Sequence, residues 1–290
     1  MKQQAYGYAA LAMFCLGMAP VAQAELKPIS DEKMGEVTGQ AFMQVENIPG
    51  PDHQFTRMTL GIDVETRVNI DDVKVGQTDT GVDFSATDVA LGHISRDAAR
   101  EQYDGNTYAV DDVVPFEAVQ PYIELAEVNN ELAGFRMGFQ QARGSISSNT
   151  TSFSGNIGLQ IEDANGAVSS ATLFDAQNQA TSYRATQVGI DDGSGTCTPG
   201  TNCAPLSQLR SLTVGTDNGD GTTGFTDDFF IGFQRENVDW QSPDGANVIN
   251  AGKGVYLNLP TSMTVQMSTL TGAGLPRERT HYVDRGNGIF

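Results

Sequence analysis

The run Arg57-Met58-Thr59-Leu60-Gly61-Ile62-Asp63-Val64-Glu65-Thr66-Arg67-Val68-Asn69-Ile70 decides the fold class. Met58, Leu60, Ile62 and Val64 alternate with other residues, and Val68 and Ile70 keep the same phase. A period of two places successive side chains on opposite faces of an extended chain, so this stretch reads as half-buried strand. Val73 and Val75 fall on the opposite phase, which predicts a bulge near Asp71-Asp72. Val82, Phe84 and Ala86 resume the alternation, followed by Val89 and Leu91.

The pattern extends outward from this stretch. Tyr122–Val128 and Glu131–Phe139 flank Asn129-Asn130, which suits a hairpin turn. Phe135, Met137 and Phe139 share one face of that second strand. Gly134 and Gly138 lie on the other, where a second layer can approach closely. Shorter apolar pieces at Ile146, Phe153, Ile157, Leu159 and Ile161 mark further strands, as do Leu212–Val214, Phe229–Phe233 and Val255–Leu259. Residues 97–112 read as a long polar loop, Asn47–His53 as a linker and Asp217–Gly221 as a turn. Several apolar pieces end in Gly, such as VKVG at 73–76 and FFIG at 229–232, but at no fixed interval, so a regular solenoid is not indicated.

Composition narrows the function. The chain has 290 residues, with 17 Lys and Arg against 36 Asp and Glu and a formal charge of −19. Such an acidic chain is unsuited to nucleic acid, because phosphate contacts need clustered cations. The 32 Gly residues speak against a helical bundle. No P-loop, Rossmann glycine pattern, G-x-S-x-G elbow or H-E-x-x-H occurs, and His53, His93 and His281 have no metal-ligand spacing. An outer-membrane barrel would close with a strand of alternating apolar residues. Counting back by twos from Phe290 gives Gly288, Gly286 and Asp284 instead.

Residues 1–24 read as a signal peptide. Lys2 precedes an apolar stretch from Ala9 to Val21, and Ala22-Gln23-Ala24 is an A-x-A cleavage site. Cleavage there leaves Cys197 and Cys203, six positions apart across Pro199-Gly200. Outside the cytoplasm that pair is expected to form a disulfide. After the leader, Ser30 caps an expected short helix, with Asp31 and Glu32 in its first turn.

Four Asp pairs stand near expected strand ends: Asp71-Asp72, Asp111-Asp112, Asp191-Asp192 and Asp227-Asp228. Their first reading is solubility and blunted strand edges. The alternative is one Ca²⁺ site built from Asp217, Asp220, Asp227 and Asp228, since oxygen-rich loops suit a hard cation. The DNGDG run at 217–221 lacks EF-hand spacing, and no other cofactor is expected.

The segment Leu26–Ala41 (LKPISDEKMGEVTGQA) resembles the start of a group of poorly characterised exported proteins of Gram-negative bacteria. These carry V-T-G-Q-A after the signal peptide, and some are labelled putative Fil-type pilus-assembly proteins. The runs PYIELAEV, GFRMGFQQARG and SGNIGLQI also look like members of that group. The resemblance implies a β-rich surface or filament-associated protein and brings no catalytic residues.

The sequence therefore predicts an all-β, mostly antiparallel sandwich or jelly-roll-like body with a short N-terminal helix, the alternative being an irregular β-solenoid. Its expected parts are a signal peptide (1–24), a motif and linker (25–56), a β domain (57–276) and a mobile polar tail (277–290). The expected function is a non-enzymatic exported protein, structural or assembly-related at the cell surface, located in the periplasm, on the outer surface or outside the cell. Its partners would be further copies or other surface subunits, and Phe42, Met43 and Val45 form a candidate assembly segment for strand addition. The rival is a binding module for glycan or another small ligand, using Tyr103, Tyr108, Trp240 and Tyr256. A hydrolase with a carboxylate pair comes third.

Overall fold

The computed structural model describes residues 42–282. The expected signal peptide, the helix after Ser30 and the V-T-G-Q-A motif as far as Ala41 lie outside the described residues, as do residues 283–290. From Phe42 onward the chain is mostly strand. β1 (Met43–Pro49), β2 (Gln54–Leu60), β3 (Asp63–Thr66), β4 (Val68–Thr78) and β5 (Gly81–Leu91) follow closely on one another. β6 (His93–Ile94) and β7 (Val113–Val114) bracket the long polar loop. β8 (Phe116–Val128) and β9 (Glu131–Ser152) form the central hairpin, followed by β10 (Gly155–Ile157). Small sheets use β11 (Gln160–Glu162), β12 (Val168–Ser170), β13 (Thr172–Phe174), β14 (Gln187–Gly189) and β15 (Cys203–Pro205). β16 (Ser211–Val214) returns to β9, and β17 (Thr216–Asp217) pairs with β18 (Thr223–Gly224). β19 (Phe230–Gln234), the hairpin of β20 (Val238–Gln241) and β21 (Val248–Ala251), β22 (Gly254–Leu259), β23 (Thr264–Gln266) and the one-turn α1 (Met267–Thr271) complete the order.

The main sheet runs β1-β2-β8-β9-β19-β22-β10. All its pairs are antiparallel except β10 with β22. This is the expected all-β, sandwich-like body. Asn129 and Asn130 make the central hairpin turn at φ 52° and 63°, the left-handed pair that a two-residue turn matched to strand twist requires. β9 belongs to two sheet segments. Its first part pairs with β8 and β19, and its last part with β5 and β16. The change falls at Gly144, at φ 132°, where an added Cβ would lie 3.0 Å from Phe116 Cα.

Three expectations need correction. Asn47–His53 is not a linker: it ends β1 and turns into β2, with Gly50 N–H donating to His53 O at 2.9 Å. The body therefore starts at Met43 rather than at 57. No bulge interrupts β4 at Asp71-Asp72, because its register with β5 is the same on both sides. The irregularity lies across from it, where Asp88 takes φ 51° and β5 slips against β9 between Thr87 and Ala90. The opposite phases of β4 simply serve two faces: Val68 and Ile70 are exposed, while Val73 and Val75 pack on the core. Finally, residues 277–282 are tied down. Arg67 Nη1 and Asn69 Nδ2 donate to Thr280 O at 2.7 and 2.8 Å, and Ile94 N–H donates to Arg279 O at 2.7 Å.

The larger core gathers Phe84, Phe116, Phe153, Ile161, Leu206, Leu212, Leu257 and Leu270 with their neighbours from both sheet segments and the small sheets. A second core lies between one face of the main sheet and the β20–β21 hairpin, built on Phe55, Phe230, Val238, Trp240 and Tyr256. Cys197 and Cys203 form the expected disulfide, with sulfurs 2.09 Å apart, and pack on Phe174.

The second core also holds charge. On β2 the inward side chains are Phe55, Arg57 and Thr59, whereas Met58 and Leu60 lie on the half-open face. Arg57 sits opposite Glu124, and Glu124 sits opposite Arg136, on three adjacent strands. Glu124 Oε2 accepts from Arg57 Nε at 2.6 Å and from Arg136 Nη2 at 3.0 Å. All three residues are at most 2% exposed. Arg136 also donates to Gln241 O, and its guanidinium lies 4.9 Å from the ring centres of both Phe230 and Trp240. Gly138 leaves room beside it, since a Cβ there would meet Tyr122 Oη at 2.7 Å.

Removing one member of a buried charge group leaves the others uncompensated, typically at a cost of about 3–5 kcal/mol. Glu124→Gln should lower the unfolding free energy by that amount in urea titration. Replacing Arg57, Glu124 and Arg136 together with apolar residues of similar volume should recover most of the loss. Reducing the disulfide should cost roughly 2 kcal/mol in the same assay, from the loop entropy that the bond removes.

Candidate functional site

The face of the main sheet opposite the charged core is apolar. Strand alternation and register place Met43 and Val45 of β1 beside Met58 and Leu60 of β2. Next come Ile123 and Leu125 of β8, then Phe135 and Met137 of β9, then Ile231 and Phe233 of β19. No charged side chain interrupts these positions. Towards β19 and β22 the face runs into the larger core. Towards β1 it is open: Met43 is 50% exposed, Val45 56%, Ile123 42% and Met137 41%. Phe135 and Phe233 stack with ring centres 4.8 Å apart. A groove of about 470 Å³ crosses the face, lined by residues that include Met43, Met58, Leu60, Ile123, Met137 and Phe139.

Contiguous apolar surface of this kind marks interaction sites. Methionines suit it, because an unbranched, polarisable side chain can repack against different partners. The candidate assembly segment lies at its border. Met43 and Val45 stand in β1, which pairs with β2 of the same chain, and Phe42 is 54% exposed just before it. The segment is thus an edge strand of its own sheet and not a free arm.

The other expected sites fall elsewhere. The four aspartates are not gathered into one site. Asp217 accepts from Gly219 N–H at 2.8 Å and Asp220 from Thr222 N–H at 2.9 Å, within their own turn. Asp228 accepts from Asn247 Nδ2 at 3.3 Å, and burial pushes the carboxyls of Asp227 and Asp228 upward. Among the described residues no three His, Cys, Asp or Glu side chains are grouped to hold a metal ion. The aromatic residues offered for glycan stacking are also not presented. Trp240 is 0% exposed, Tyr256 8% and Tyr103 9%, while Tyr108 is half-buried and donates to Asp104 Oδ2 at 2.7 Å.

One contact was not foreseen. His93 Nδ1 lies 2.7 Å from Ser145 Oγ, and its Nε2 lies 3.1 Å from Gln102 Oε1. Gln102 Nε2 donates to Arg100 O at 3.3 Å, which turns its oxygen towards the imidazole. His93 therefore donates from Nε2 and accepts the Ser145 hydroxyl at Nδ1, and burial lowers its pKa. A neutral amide stands where a hydrolytic triad has a carboxylate, and the three side chains tie the long loop to β9. The 52-residue separation of His93 and Ser145 leaves no local pattern from which to read the contact.

Many of the acidic side chains serve the backbone. Asp163 Oδ1 accepts from the N–H groups of Asn165 and Ala167, Asp175 Oδ1 from those of Gln177 and Gln179, and Asp191 Oδ1 from those of Gly193 and Gly195. These are Asx turns, in which a carboxylate replaces a missing backbone acceptor. Backbone donors hold the Asp163 carboxyl below its usual range. The Ser194 hydroxyl and N–H do so for Asp192, and those of Thr222 for Asp220. A carboxylate with a depressed folded pKa stabilises above its unfolded value, near pH 4, and that contribution fades as pH falls through the folded value. Asp163→Ala should therefore lower the melting temperature at pH 7, and the gap to the parent should close as pH falls below about 4.

No family model matches this chain, and neither a curated protein nor a solved structure matches it.

Proposed function

We propose that this chain is an exported structural or assembly protein of the cell surface, associated with pili or related filaments. The observation that carries the reading is the open apolar face with edge strand β1 at its border. A monomer gains nothing by leaving Met43, Val45, Ile123 and Met137 in water, whereas a subunit covers such residues when it assembles. Two further features support it. The Cys197–Cys203 disulfide suits an oxidising compartment. The resemblance of Leu26–Ala41 to exported proteins labelled as pilus-assembly factors points the same way.

The groove also favours a second reading, a binding module. Its lining suits an apolar chain rather than a glycan, since the stacking aromatics are buried elsewhere.

The face can be tested without disturbing the core. Met137 is exposed, so Met137→Glu should leave the fold intact. In the cells that make this protein, the parent should co-purify with sheared surface material, and Met137→Glu should stay in the soluble fraction with an unchanged circular dichroism spectrum. Equal distribution of the two proteins would refute the assembly reading. Stabilisation of the parent by a long-chain fatty acid, absent in Met137→Glu, would favour the binding module.

A further inference from the structure

We propose that the outer edge of β1 pairs with β1 of a second copy of this chain, antiparallel and centred on Val45. The inference rests on the assembly reading and names its partner. It starts from the backbone. Gly61 N–H donates to Phe42 O at 2.8 Å, and these residues are opposite each other in the register that joins Met43 to Leu60. Residues along an antiparallel strand alternate between pairs that exchange both hydrogen bonds and pairs that exchange none. Phe42, Gln44, Glu46 and Ile48 therefore turn their backbone groups towards β2. Met43, Val45 and Asn47 turn theirs outward.

Among the described residues β1 has β2 as its one neighbour. From Met43 to Asn47 its edge carries no Lys and no Pro, its one charged residue is Glu46, and its register runs without a bulge. Pro49 has no N–H and closes the edge at that end.

A two-fold axis through Val45, perpendicular to the sheet, uses every outward group. Val45 meets its own copy and Met43 meets Asn47, each pair exchanging both bonds. On the polar side Gln44 then faces the copy's Glu46. Gln44 Nε2 already donates to Glu46 Oε1 at 2.8 Å within the strand, so the amide and carboxylate need only exchange partners across the axis. An axis through Glu46 would stack two carboxylates, which is unfavourable for residues directly opposite. An axis through Gln44 would leave Asn47 unpaired. The axis through Val45 also keeps both apolar faces on one side, so the two open rows join into one wider surface. The charge of −19 on each copy opposes approach, and salt screens that repulsion, so the dimer should tighten as ionic strength rises.

The test is sedimentation velocity on the full-length chain at two salt concentrations, with three variants. The parent should be a dimer that dissociates on dilution and more readily at low salt. Val45→Pro removes an outward N–H and spares the ladder to β2, so it should be monomeric with an unchanged spectrum and melting temperature. Gln44→Cys and Glu46→Cys, mixed and oxidised, should cross-link to each other, because opposed residues without mutual hydrogen bonds lie about 4.5 Å apart at Cα. Gln44→Cys alone should cross-link at least tenfold more slowly. A monomeric parent, a dimer that survives Val45→Pro, or equal cross-linking of Gln44→Cys with itself would overturn the proposal. A monomeric parent that still enters sheared surface material would overturn self-pairing and leave the assembly reading standing. A dimer absent from that material would do the reverse.

Discussion

Everything distinctive in this fold depends on Glu124 holding two arginines in the buried layer beneath the main sheet. Arg57, Glu124 and Arg136 stand side by side on β2, β8 and β9, so the pairing fixes the register of three strands at once. A one-residue slip of any of them would send its charge to the opposite face and leave the others unpaired. The sheet is thereby committed to a polar interior on one side. Because alternate residues point the other way, it is also committed to Met58, Ile123, Leu125, Phe135 and Met137 on the side that stays open. The candidate interaction surface and the buried charges are two consequences of one alternation.

The inner layer is completed by aromatic residues. Phe230, Trp240 and Tyr122 surround the guanidinium of Arg136, and Trp240 arrives on the β20–β21 hairpin that roofs the cluster. Weakly hydrated guanidinium groups tolerate such surroundings better than ammonium groups, which makes arginine the suitable cation here. Burial pushes the Tyr122 phenol up to about 12, so its ring serves as an uncharged wall at any ordinary pH.

Strand content was legible because a period of two survives whichever face is buried. The Asn129-Asn130 turn, the Phe135-Met137-Phe139 row and the strands at 212, 230 and 255 all follow from local pattern. What alternation does not reveal is which phase goes inside. Arg57, Glu124 and Arg136 read as solvated residues until their partners, up to 67 positions away in sequence, are known to be adjacent. The aspartates misled for a related reason. Oxygen-rich loops are the raw material of both calcium sites and Asx turns, and only geometry showed Asp217 and Asp220 turned towards their own backbone. The disulfide was readable from two cysteines and a turn. The link from His93 to Ser145 was not, because it joins a loop to the middle of a long strand.

The passage of β9 through two sheet segments has a bearing on how the chain reaches this state. Its earlier neighbours, β5 and β8, precede it in sequence, whereas β16, β19 and the Trp240 hairpin follow after a long interval. Contacts so distant in sequence form slowly, because their loops must close first. Until residue 251 has emerged, the roof over Glu124 is missing and both arginines stay hydrated. A chain synthesised from its N terminus therefore keeps its central sheet unlocked until most of it has emerged. Through that delay the methionine-rich row stays exposed to any chaperone that meets the chain.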